Sequence, residues 1–87
     1  GYFALPLLYK DQFVGRIDCK AFRDQRRLAL QRVHLECAKA DTQAVCTALA
    51  AALPNFATFQ ACDQVNVHEV WPRPATKILK TAVAKHF

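Results

Sequence analysis

Up to Glu36 the apolar residues recur at every second position. Phe3, Leu5, Leu7 and Tyr9 share one phase within Gly1–Lys10, and a two-residue period puts them on one face of a strand. Pro6 has no N–H to give to a ladder, so this strand is expected at a sheet edge or beside a bulge. Lys10-Asp11-Gln12 reads as a short polar turn. Phe13, Gly15, Ile17, Cys19 and Ala21 then alternate with Val14, Arg16, Asp18, Lys20 and Phe22, a pattern that suits an antiparallel strand with one wet face. Arg23-Asp24-Gln25-Arg26 forms the second turn. The third strand, Arg27 to Glu36, points Leu28 and Leu30 inward and then Val33 and Leu35. That one-residue change of phase predicts a bulge near Gln31-Arg32.

After Glu36 the period becomes helical. Val45, Leu49, Ala52, Leu53 and Phe56 form an apolar stripe at helical spacing. Asp41 is the expected N-cap of a helix starting near Thr42, its carboxylate accepting from free backbone amides. Pro54 removes one donor and crowds the preceding turn, which predicts a kink or a break. Gln64 to Trp71 reads as a fourth strand with Val65 and Val67 on one face, closed by Pro72-Arg73-Pro74. Pro74 suits the first turn of a last helix. Ile78, Leu79, Ala82 and Val83, continued by His86 or Phe87, make its inner stripe, with Lys77, Lys80 and Lys85 on the outer flank. The expected fold is α+β in the order β-β-β-α-β-α. It comprises a three-stranded antiparallel meander plus a fourth strand, with two helices on one face.

Composition bounds this reading. The 87 residues allow one domain, and 53% hydrophobic with 22% charged residues is the balance of a globule, not of a disordered tail. The longest uncharged run, Thr42–Cys62, is broken by Pro54 and carries Gln43, Thr47, Asn55 and Gln60. It is too polar for a bilayer span, so no membrane partner is expected. No basic segment followed by an apolar core opens the chain, and a cytoplasmic monomer is expected. The chain has no methionine, as expected of a piece of a longer parent.

Charge narrows the partners. Twelve Lys and Arg against seven Asp and Glu give +5, and a pI near 9.3. This favours an anionic partner, either nucleic acid or an acidic protein face. Most of the excess lies in one hairpin. Arg16 and Lys20 lead along the wet face to a tip carrying Arg23, Arg26 and Arg27, and Arg32 follows on the return strand. The plain reading is a solvated face. The sharper one is a protruding ribbon whose cations follow DNA phosphates, with Phe22 packing or wedging near the tip. Arginines on an exposed tip are expected to contribute little to stability.

Self-contained chemistry is missing. The chain has no serine to serve as nucleophile. Cys19, Cys37, Cys46 and Cys62 contain no C-x-x-C pair and lie in apolar neighbourhoods, so buried free thiols are expected. His34, His68 and His86 have no partner at metal-ligand spacing, and His68 and Glu69 should point to opposite strand faces. No metal and no cofactor are expected. Asp18 and Glu36 could face each other across strands, and His34 with Glu36 could form a surface pair. The chain by itself is expected to have no catalytic residues.

One resemblance covers nearly all of the chain. Gly1-Tyr2-Phe3-Ala4-Leu5-Pro6-Leu7-Leu8, then Val14-Gly15-Arg16-Ile17-Asp18-Cys19-Lys20-Ala21, then Val33-His34-Leu35-Glu36 and an alanine-rich helix resemble the C-terminal part of the winged-helix crosslink-repair DNA glycosylase family. The Val-Gly-Arg-x-Asp-x-Lys-Ala stretch is the most specific piece. These bacterial proteins are several times longer, with tandem winged helices ahead of the β-rich end. The resemblance implies a parent that hydrolyses N-glycosidic bonds of alkylated or crosslinked bases in DNA. The family's catalytic motif, a glutamine followed two residues later by glutamine or aspartate, lies in an N-terminal winged helix outside this sequence. The resemblance also implies double-stranded DNA as partner through the parent chain, engaged by a β-hairpin that Arg23–Arg27 match by position. Two other readings stand beside it: a DNA-binding or regulatory module of a winged-helix protein without glycosylase activity, and a protein-interaction or purely structural domain.

Overall fold

A computed structural model describes residues 2–87; Gly1, expected at the head of the first strand, lies outside the described residues. The elements are β1 (Tyr2–Tyr9), β2 (Gln12–Phe22), β3 (Arg27–Leu35), α1 (Thr42–Phe59), β4 (Gln64–Trp71) and α2 (Ala75–Ala84). They form the expected α+β order β-β-β-α-β-α. The strands make one mixed sheet in the order β1-β2-β3-β4. The first three pair antiparallel, and β4 pairs parallel with β3 after the crossover through α1.

Turns and bulges set the registers. Tyr9 pairs with Gln12, and the two residues between them, Lys10 and Asp11, have φ of 52° and 63°. Two successive left-handed residues match the twist of a tight hairpin. Pro6 lies on the edge strand, as its missing donor requires. Between β2 and β3, Asp18 pairs with Arg32 but Cys19 with Leu30. Gln31 is therefore the extra residue, where the change of hydrophobic phase predicts it. A second bulge falls in the β1–β2 ladder, just beyond Pro6, with its extra residue on β2. Leu7 pairs with Gly15 and Leu8 with Phe13, leaving Val14 unpaired. This extra residue resets the phase of β2, so Val14 is buried and Phe13 is exposed.

The core lies between one face of the sheet and both helices. Ile17, Cys19, Leu28, Leu30, Val33 and Leu35 pack there with Val45, Cys46, Leu53, Leu79 and Val83. Phe3, Leu5, Leu7 and Tyr9 close its β1 side. Several helix details differ, wholly or in part, from expectation. The helix starts at Thr42 as read, but Asp41 makes no side-chain cap bond, because a 3-10 turn over Lys39–Asp41 gives it helical φ and ψ. Pro54 is carried inside one continuous helix. Leu53 and Ala57 lie on either side of it and are both buried, so packing of this face offsets the lost backbone bond. The buried stripe is Val45, Cys46, Ala50, Leu53 and Ala57, rotated from the expected one, with Leu49 and Phe56 half-buried and Ala52 exposed. In α2, Ala75, Leu79, Ala82 and Val83 are buried, while His86 and Phe87 are exposed. Among the described residues no helix is long and apolar enough to cross a membrane.

Candidate nucleic-acid interface

Because both helices cover one face, the other face of the sheet is open. The register lays its side chains out in rows. Tyr2 pairs with Lys20 and Lys20 with Ala29; Ala4 pairs with Asp18, Asp18 with Arg32, and Arg32 with Glu69; Pro6 pairs with Arg16, Arg16 with His34, and His34 with Trp71. This face brings together the basic residues of β2 and β3 and several aromatics.

The structure divides the six expected DNA-binding residues into two groups. Arg16 is exposed, and among the described residues it makes no hydrogen bond or ion pair. Lys20 is half-buried with its Nζ 5.0 Å from the centre of the Phe22 ring. These two cations are uncommitted to any carboxylate. The other four are engaged within the fold. Arg23 donates from Nε to the Gln60 carbonyl at 3.2 Å and from Nη2 to the Gln60 Oε1 at 2.8 Å. Arg26 pairs with Asp63 at 2.8 Å and Arg32 with Glu69 at 3.0 Å. In each pair the carboxylate raises the arginine's pKa, first by the hydrogen bond and then by its charge. Arg27 stacks over Phe22 at 4.2 Å and donates to Gln25 and Asn66.

The hairpin tip is therefore clasped, not protruding. β2 and β3 are the central strands, and β4 begins level with the tip, where Arg27 pairs with Gln64. The Arg26 carbonyl accepts from the amides of Asp63 and Gln64 at 2.9 and 3.1 Å. Phe22 packs at the tip without being fully buried. It is a half-buried ring that carries Arg27 and Lys20 by cation–π contact.

The remaining polar candidates hold no reactive arrangement. Asp18 faces Arg32, not Glu36, whose amide instead donates to the Val14 carbonyl at 2.8 Å. His34 Nε2 lies 4.0 Å from Glu36 Oε1 on the surface. Cys19, Cys46 and Cys62 are buried, but Cys37 is half-buried, so the expectation of four buried thiols fails at one position. Burial pushes the Cys46 thiol up to about 11, with Cys37 adding a smaller effect, and burial also raises Cys19. Among the described residues no three His, Cys, Asp or Glu side chains gather as metal ligands.

The sequence reading passed over Tyr2 and Trp71, which are 64% and 54% exposed on the open face. Tyr2 had a local signal, being out of phase with Phe3, Leu5, Leu7 and Tyr9. Trp71 had none, because its place beside His34 depends on a parallel register. Searches of family models, of curated proteins and of solved structures return no match to this chain.

Proposed function

We propose that this chain is a DNA-binding accessory domain of a longer, cytoplasmic DNA-repair glycosylase that acts on alkylated or crosslinked bases. The observation that carries the DNA-binding half is the pair of uncommitted cations, Arg16 and Lys20, on an open sheet face. Phosphate contacts of this kind position a protein on a duplex without reading its sequence. Arg27, over the Phe22 ring, and the exposed rings of Tyr2 and Trp71 lie on the same face. The glycosylase half rests on the Val14–Ala21 stretch and its companions, and it assigns base excision to residues outside this chain.

Salt dependence of duplex binding tests the first half. Two phosphate contacts contribute a slope of about −1.8 in log affinity against log salt. Replacing Arg16 and Lys20 together by Ala should remove that much of the measured slope. Replacing Lys77, Lys80 and Lys85 together, which are exposed on α2 and its end, should affect binding less although it removes more charge. Equal or greater loss from the α2 variant would mean that only net charge matters and would sink the assignment of the open face. For the second half, the longer parent should release alkylated base from duplex while residues 1–87 alone release none. A parent that binds the same duplex without excision would be a DNA-binding module of the non-glycosylase kind.

A further inference from the structure

The sheet has two free edges, and they are not alike. β1 is blunted by Pro6, which cannot donate. β4 contains no proline from Gln64 to Trp71, so the outward amides and carbonyls of that edge can pair with another strand. Beside this edge runs α2, and between them opens a groove of about 490 Å³. Its apolar wall is made by Val65 and Val67 of β4 with Val83 and Phe87 from α2 and the residues after it. Val65 and Val67 are only half-buried, so the valines left short of cover lie where an added strand would place its side chains.

Charge selects the occupant. Among the described residues, Lys80 is the only Lys, Arg, Asp or Glu lining the groove, and Lys77 is exposed one turn away on the same helix. Neither makes a hydrogen bond or ion pair among the described residues. We propose that the β4–α2 groove binds an extended peptide as a fifth strand, apolar toward Val65, Val67, Val83 and Phe87 and acidic where it meets Lys80. Main-chain bonds to β4 supply affinity and the alternate side chains supply selectivity. A second copy of this chain is the poorer occupant. Antiparallel pairing of two β4 edges would bring the lysine flanks of two α2 helices together on one face of the joined sheet, in chains of +5 each.

The test uses the whole chain and a fluorescein-labelled peptide, Thr-Val-Thr-Val-Thr-Glu-Thr-Val, with valine and glutamate on one face and threonine on the other. Binding should be saturable by fluorescence anisotropy. N-methylation of three alternate amides should weaken it on the order of a hundredfold, each lost bond being worth about 1 kcal/mol. Lys80→Glu, an exposed change with little effect on folding, should weaken it roughly fivefold, and a Glu→Lys peptide should restore part of that loss. Three outcomes would overturn the proposal: no binding, binding indifferent to N-methylation at both sets of alternate amides, or a concentration-dependent dimer that the peptide does not dissociate.

Discussion

Gly15 sits where only a glycine fits. Its φ is +151°, and a Cβ built there would lie 2.1 Å from the backbone carbonyl oxygen of His34. The obstacle is backbone, so no rotamer change relieves it. Gly15→Ala should therefore destabilise the fold by about 2–4 kcal/mol, combining a strained dihedral with a forced separation of β2 from β3. Urea denaturation would check this, and a loss below about 0.5 kcal/mol would refute the close approach. In the sequence Gly15 is simply an inward-phase position without a side chain, and the reason for it comes from the neighbouring strand. It also belongs to the Val14-Gly15-Arg16 stretch that carries the family resemblance, so at least this residue of the stretch has a structural explanation.

At the level of elements, the clasp between the β2–β3 turn and the α1–β4 connection changes what the arginines do. Gln60 is 7% exposed, and Arg23 satisfies both its carbonyl and its side-chain oxygen. Arg23→Ala should cost about 1–2 kcal/mol, because it leaves the buried Gln60 side-chain oxygen without a donor and the Gln60 carbonyl with only the weak Cys62 thiol bond at 3.4 Å. Arg26→Ala should cost clearly less, since Arg26 and Asp63 meet at the surface where water and salt screen the pair. Thermal denaturation of the two variants side by side would show the difference. Equal, negligible losses would mean that the tip is as free as a simple polar turn. The same contact explains why a turn rich in arginine makes a weaker DNA-binding candidate than the two quieter cations on β2.

For the whole molecule, burial of thiols couples stability to alkaline pH. Cys46 is fully buried, and burial lifts its pKa from 9.0 to about 11 in the fold. The unfolded chain thus releases this proton first as pH rises, and the folded state is disfavoured between those values. The stability advantage of the native chain over Cys46→Ala should be constant below about pH 8 and shrink steadily toward pH 11. An advantage that stays flat over that window would show that the thiol ionises as easily in the fold as outside it. Much of the architecture was legible in the residues alone. The two-residue period, the switch to 3.6 after Glu36, the Gln31 bulge and the β4 limits are local signals, set by the geometry of one strand or helix at a time. The position of the β1–β2 bulge at Val14 and the rotated face of α1 were not legible, because they answer to partners elsewhere in the chain. The candidate site was legible only as a list of cations. Which of them are free was decided by the parallel register of β3 and β4, in which each residue meets the one 37 positions later. Arg32–Glu69 repeats that offset, and the same 37-residue spacing just before the strands relates Arg23 to Gln60 and Arg26 to Asp63. Periodicity reports which way a side chain faces, but a register between distant strands is a property of the packed sheet, and only the tertiary structure could supply it.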